Sequence, residues 1–223
     1  MSRVTLASFT CNQSGAPCNF DLASAADRVC VLAGLTGGVA VGPSATLTSV
    51  GTEGGENFLT IYTNAGNPIT ATVMCAHAVN VVGPIHWSWP HAATAIPGTT
   101  ASSRCFLTQV TADGGFQAYA DNVGTYLAGG SWWIGGSASN YLDANATCFD
   151  ATDVSEPSWG QTGGTTSGTL APTGAIACGL TQLGGVFTTT GTSDGVAITD
   201  NARSHEWQWT FTGAHHAYAD CVE

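Results

Sequence analysis

The chain contains no lysine, and its only basic side chains besides histidine are Arg3, Arg28, Arg104 and Arg203. Against 15 acidic residues they leave a net charge of −11. Nucleic-acid binding needs Lys and Arg to displace counterions from phosphates, and anionic membranes attract the same residues. Neither partner is expected. No apolar run approaches the ~20 residues of a membrane-spanning helix. Charged residues of both signs make up 9% of the chain, against roughly 25% in an average protein. The surface is therefore mostly Thr, Ser, Gly, Asn and Ala, and the residual acidity serves solubility.

Signatures of catalytic and metal chemistry are also scarce. There is no D-x-[DN]-x-[DN]-G loop and no H-E-x-x-H pair. No C-x₂-C pair suggests zinc. No cofactor or metal is expected. The segment Gly191–Gly195 (GTSDG) matches the G-x-S-x-G nucleophile pattern, which requires a strand-to-helix turn. Here it joins two strand-like runs and reads as a β-turn. The first residues, MSRVTLASFTC, lack the apolar stretch of a signal peptide. Either the starting Met has replaced an export signal, or the protein leaves the cell without one, as phage and other particle components do on lysis.

What is present is a threefold repeat framed by cysteines. Cys30 to Cys75 opens with CVLAGLTGG and closes with ITATVMC. Cys105 to Cys148 opens with CFLTQVTADGG and closes with LDANATC. Cys178 to Cys221 opens with CGLTQLGG and closes with HHAYADC. The spacings are 45, 43 and 43 residues. Self-similarity at a fixed period marks a repeat architecture. It pairs six cysteines as Cys30–Cys75, Cys105–Cys148 and Cys178–Cys221, and leaves Cys11 with Cys18 to close a short loop. Disulfides persist outside a reducing cytosol, so the expected location is extracellular, on a cell surface or in a virion. The units divide the chain at 1–75, 76–148 and 149–223. They are expected to pack with pseudo-threefold symmetry in a trefoil- or prism-like arrangement, the alternative being small β modules in tandem.

The expected class is all-β. VTLASFT, CVLAGL, ATLTSV, FLTIYT and ITATVMC are short, Thr-rich and β-branched, and Gly, Pro, Asn or Asp separate them. The second unit offers CFLTQV, GFQAYA, VGTYLA, SWWIGG and LDANATC. The third offers CGLTQL, GVFTTT, GVAIT, EWQWTFT and AYADC. DLASAADR (21–28) has the composition of a single helical turn, and the low-complexity stretch 160–174 reads as an exposed loop. Alternation places Leu142, Ala144, Ala146 and Cys148 on one buried face. Ile69, Ala71, Val73 and Cys75 match them in the first unit, as do His215, Ala217, Ala219 and Cys221 in the third. Counting back from each closing Cys puts Ile61, Ile134 and Trp207 in the core, with Trp132 beside them and Trp133 on the opposite, outward face.

Seven tryptophans stand out in a chain so poor in charge. Aromatic faces stack on the apolar faces of sugars, although large aromatics also fill β cores. The candidate ligand-binding residues are Trp133, Trp87, Trp89, Trp159 and His86, with Asp150 and Asp153 as hydroxyl acceptors. On this reading the protein is an extracellular, non-catalytic, lectin-like binder of carbohydrate with repeated sites, gaining avidity from multivalency. Its partner is then a glycan or another cell-surface ligand. The alternative is a structural subunit of a filament, fibre or virion, whose exposed aromatics contact copies of itself. A third reading is a secreted hydrolase using two carboxylates at suitable separation, with Asp150 and Asp153, or Asp194 and Asp200, as the pair.

Overall fold

A computed structural model describes residues 5–26, 28–39, 46–63, 67–114, 116–152, 158–159, 166–172, 177–187, 195–201, 206–213 and 215–222. The protein is all-β, with no helix among the described residues. The first unit supplies β1 (Thr5–Cys11), β2 (Cys18–Ser24), β3 (Arg28–Gly37), β4 (Thr46–Glu53), β5 (Glu56–Thr63) and β6 (Ile69–His77). The second supplies β7 (Val79–Ser88), β8 (Thr94–Ala95), β9 (Ser103–Asp113), β10 (Asn122–Ala128), β11 (Ser131–Ser137) and β12 (Tyr141–Asp150). The third supplies β13 (Ser158–Trp159), β14 (Thr166–Pro172), β15 (Ala177–Gly185), β16 (Gly195–Asn201), β17 (Glu206–Thr212) and β18 (His215–Val222).

These strands form three sheets of six. Sheet A runs β1-β6-β3-β16-β17-β14, sheet B runs β7-β12-β9-β4-β5-β2, and sheet C runs β13-β18-β15-β10-β11-β8. Each begins with the leading, closing and opening strands of one unit and is completed by the hairpin and an edge strand of another. The first unit's hairpin completes the second unit's sheet, the second's completes the third's, and the third's completes the first's. Sheets shared in this way rule out separate tandem modules.

Local sequence explains the hairpins. Two-residue loops between twisted antiparallel strands favour type I′ turns, with positive φ at both positions. Gly54-Gly55 closes β4 onto β5 at φ 61° and 86°, and Gly129-Gly130 closes β10 onto β11 at φ 61° and 81°. The opening strands occupy the centre. β3, β9 and β15 contact one another pairwise. Cys30–Leu35, Cys105–Thr108 and Cys178–Thr181 are buried continuously, so both faces of each strand are covered.

All four expected disulfides are present. Three join directly opposed residues of the opening and closing strands, at Cys30↔Cys75, Cys105↔Cys148 and Cys178↔Cys221. The fourth, Cys11–Cys18, closes the loop from β1 to β2. On the faces expected from alternation, Leu142, Ala144, Ala146, Ile69, Ala71 and Val73 are at 1% exposure or less, Ala217 and Ala219 are buried, and the His215 side chain lies outside the description. Ile61, Ile134 and Trp207 are in the core as well.

At the centre, the residue after each opening cysteine is Val31, Phe106 or Gly179. A Cβ on Gly179 would lie 2.6 Å from Phe106 Cδ1 and 2.8 Å from Val31 Cγ2. The absent side chain makes room for the phenyl ring, which also stacks on Phe149 at 5.4 Å. Val31, Phe106 and Gly179 thus share one close-packed volume unequally.

Three local expectations fail. DLASAADR is not helical: β2 runs through Ser24, paired to β5 from Cys18↔Ile61 to Ser24↔Glu56. GFQAYA is a loop, because the buried Asp121 carboxylate accepts the N–H groups of Gln117 (2.8 Å) and Ala118 (2.9 Å) and holds a turn. Phe116 from that loop packs on Phe187 at 5.2 Å. Within the low-complexity stretch, Thr166–Pro172 is a strand that pairs with β17, and Leu170 is buried. In GVFTTT, Gly185 ends β15, and Thr188–Thr190 lie outside the described residues.

Two outcomes follow. Gly179→Ala is expected to lower the unfolding free energy by about 1–3 kcal/mol through overpacking. Phe106→Leu in the same chain should return part of that loss in a denaturant double-mutant cycle, and strictly additive costs would show that the two residues do not share space. Replacing Cys105 and Cys148 together by Ala should cost about 2–4 kcal/mol in the same assay.

Candidate functional site

The residues singled out from sequence do not converge. Trp87 is 1% exposed, and its Nε1 donates to the His91 carbonyl at 3.1 Å. It is a core residue and presents no stacking face, so its assignment as a sugar contact is corrected. Its neighbour Trp89 is half-buried against the same core. Trp133 is also half-buried, with Nε1 donating to the Ala128 carbonyl at 3.2 Å, and sits between Tyr126 and Ala95 in sheet C. Trp159 pairs through its backbone with Tyr218, and its side chain lies outside the description. Asp153 and Asp194 lie outside the described residues. Asp150 accepts from Asn80 Nδ2 at 2.6 Å and from Ser103 Oγ at 3.4 Å, which fits a structural tie between strands.

His86 belongs to a polar row that crosses all of sheet B. Asn19, Thr60, Ser49, Gln109, Asn145 and His86 are directly opposed, one per strand. His86 Nδ1 lies 3.0 Å from Asn145 Oδ1, and Asn145 Nδ2 donates to Gln109 Oε1 at 2.9 Å. Ser49 Oγ donates to the same oxygen at 3.3 Å, and Thr60 Oγ1 donates to Asn19 Oδ1 at 2.9 Å. Such cross-strand pairs stabilise the sheet. Next to the row, the Tyr141 hydroxyl donates to Asp143 Oδ2. This bond, burial and the Asp143 charge push the Tyr141 hydroxyl up to about 12. Among the described residues no group of three or more His, Cys, Asp or Glu is placed to hold a metal.

A shared backbone device helps to shape a cleft in sheet C. Each opening strand carries a bulge at the third residue after its cysteine. The register slips between Leu32 and Gly34, between Leu107 and Gln109, and between Leu180 and Gln182. The extra residues are Ala33, Thr108 and Thr181. Bulges re-aim side chains and cluster beside functional sites. In sheet C, Thr181 lines a cleft of about 250 Å³ together with Thr125, Tyr126, Leu127, Trp132, Gln182, Tyr218 and Asp220.

The cleft combines open aromatic rings with a rigid polar floor. Tyr126 is 45% and Tyr218 39% exposed, whereas Asp220 is 4% exposed. Arg104 Nε lies 3.9 Å from Asp220 Oδ2 and holds the carboxylate from the neighbouring unit. The Thr125 hydroxyl donates to the Cys105 carbonyl at 2.8 Å, tying β10 to the centre. Gly124 leaves the space over β10 that Gln182 fills, since a Cβ there would lie 2.7 Å from Gln182 Cβ. The Trp132 Nε1–H is buried and finds no hydrogen-bond partner among the described residues. Side-chain parity assigned Trp132 to the core, and it does pack partly against it. Tyr126, Gln182, Tyr218 and Asp220 escaped notice, and the LTQ triplet shared by CFLTQV and CGLTQL was the available signal.

No protein-family model, curated protein sequence or solved structure matches this chain.

Beside the cleft, on the same β18 strand, His216 packs edge-on against Tyr119 at 5.1 Å. Its buried Nδ1 has no partner among the described residues, and burial lowers its pKa below the ordinary 6.5. The unfolded chain therefore takes up this proton first as pH falls, so the fold loses stability below about pH 6.5. The melting temperature is expected to drop from pH 7 to pH 5, and His216→Phe should flatten that dependence. An unchanged slope in the variant would contradict this role.

Proposed function

We propose that the protein is an extracellular, non-catalytic carbohydrate-binding protein whose binding site is the cleft of sheet C. One observation carries this reading: two exposed tyrosines and Trp132 surround a small cleft whose floor presents a buried carboxylate, an amide and threonine hydroxyls. A sugar ring offers apolar C–H faces to such rings and hydroxyls to such acceptors. Specific sites pair apolar walls with a few fixed polar groups. The cleft is small enough to favour one sugar residue rather than a long chain. Four disulfides are consistent with an extracellular location.

The same reading takes the three units as packed about a pseudo-threefold axis through the opening strands. Two features support it. The strand orders of the three sheets interconvert by advancing every label by one unit, and the bulge recurs at one position in each unit. The binding positions are then degenerate: Thr181 and Asp220 in sheet C correspond to Thr108 and Thr147 in sheet B and to Ala33 and Met74 in sheet A. In the last, Met74 Sδ accepts the Cys178 N–H at 2.8 Å, and an apolar side chain takes the place of the polar pair.

A glycan array at neutral pH, on protein sized by light scattering, tests this function. Selective binding to one glycan class is expected, with at least tenfold weaker binding in Tyr218→Ala and Asp220→Asn. A blank array, or binding that both variants leave intact, would sink the proposal.

A second reading, a subunit of a filament or virion, is favoured by one edge. β7 ends sheet B, and its Val79 and Val81 are 64% and 47% exposed. Exposed apolar edge strands invite pairing with another chain. Large particles in the scattering trace that Val81→Lys disperses would support it, and a small species unaffected by concentration would argue against it.

A further inference from the structure

The sheet C cleft differs in aromatic content from a larger cleft, of about 540 Å³, in sheet B. Among the described residues the larger one has Phe58 as its one aromatic lining residue, whereas Tyr126, Trp132 and Tyr218 line the smaller. Tyr126 also has an aromatic neighbour outside the cleft. Tyr126 on β10 and Trp133 on β11 are directly opposed, and opposed residues of an antiparallel pair project from one face with Cβ atoms about 5 Å apart. Alternation puts Tyr126 on the same face as Gly124. Gly124 is opposed to Gln182, and Gln182 to Tyr218. The reverse face of these strands carries Val123, Ile134, Leu183 and Ala217, all at 1% exposure or less. Trp133, Tyr126, Gln182 and Tyr218 therefore share the outward face of sheet C.

Two contacts order this row. The Trp133 Nε1–H donates to the Ala128 carbonyl at 3.2 Å. Ala128 belongs to β10, so the bond draws the indole over the neighbouring strand, beside Tyr126. Gln182 folds over bare backbone at Gly124, where a Cβ would lie 2.9 Å from Gln182 Cγ. None of the four side chains is charged, in a chain of net charge −11.

We propose that Trp133 is a second sugar subsite adjoining the cleft through Tyr126, so that the ligand is at least a disaccharide with its terminal residue in the cleft. The inference rests on the carbohydrate reading of that cleft. Tyr and Trp suit partners that are apolar on one side and wet on the other, and the row offers no countercharge to an ionic partner. Neighbouring strands lie about 4.8 Å apart. Trp133 thus stands one strand beyond a ring that lines the cleft, within reach of the next residue of a chain whose end is held there. Two weak contacts joined in one ligand raise affinity without either being strengthened.

The test is calorimetric titration of the intact, oxidised protein with glucose, N-acetylglucosamine, galactose and mannose, and with cellobiose, chitobiose, galactobiose and mannobiose. At least one disaccharide is expected to bind tenfold or more tighter than its monosaccharide. Trp133→Ala should cut that ratio below twofold, Trp133→Phe should keep it at fivefold or more, and Tyr218→Ala should weaken both members of the pair. The Trp133 indole N–H signal in NMR spectra should shift with the disaccharide and stay in place with the monosaccharide. Should Trp133→Ala fail to fold, that signal in the unaltered protein decides the question. Equal affinity within every pair, or a ratio that survives Trp133→Ala, would overturn the second subsite and leave the cleft standing. No response to any of the sugars would overturn the carbohydrate reading and the subsite with it. Concentration-dependent association that Trp133→Ala abolishes would give the row to a second copy of the chain and likewise overturn the subsite.

Discussion

No unit of this chain can complete its own sheet. The hydrogen-bonding edge of β3 is met by β16, that of β9 by β4 and that of β15 by β10. A buried strand edge must find partners, because unpaired backbone groups away from water are costly. Each sheet is therefore complete only with strands from two stretches of the chain, and the later features depend on this exchange. The central contacts among β3, β9 and β15 exist because each opening strand is flanked on both sides and covered on both faces. The clefts exist because a hairpin from one unit meets the bulged strand of another.

This arrangement is expensive in chain entropy, since the pairings join residues far apart in sequence. The covalent bonds offset part of the cost. Three disulfides join the opening strand to the closing strand of each cysteine-framed segment, and such links act mainly by restricting the unfolded chain. Glycine has a double role in the same economy of space. At Gly54-Gly55 and Gly129-Gly130 it supplies backbone conformations that side chains resist, and at Gly179 it yields volume to Phe106.

Much of the fold was legible in the sequence because it rests on local signals. The cysteine spacing gave the pairing, and period-two alternation gave the buried faces from Ile69 to Cys75 and from Leu142 to Cys148. What was not legible depends on long-range partners. Asp121 turns GFQAYA into a loop through bonds to its own backbone neighbourhood, and DLASAADR becomes strand because β5 offers it an edge. The candidate site was legible only in kind. Aromatic residues do surround a cleft, but Trp87 is sealed in the core, and Tyr126 and Tyr218 take the open positions beside the half-buried Trp132. The bulges at Thr108 and Thr181 break the alternation on which side-chain parity relies, and no single-strand count can foresee them. Asp220 was obscure for a different reason: its importance comes from Arg104, which belongs to another unit.

The circular donation of hairpins has a consequence for how such a chain could be shortened or duplicated. A chain of only the first two units would leave sheet A without its borrowed hairpin and β10–β11 without a sheet to join. These two open ends are complementary, so such molecules would add head to tail. A heterologous contact of this kind closes into a ring when the rotation fits and otherwise grows as a fibre. Three units in one polypeptide bring the last donor back to the first acceptor, and the covalent chain thereby caps what would otherwise be a polymer.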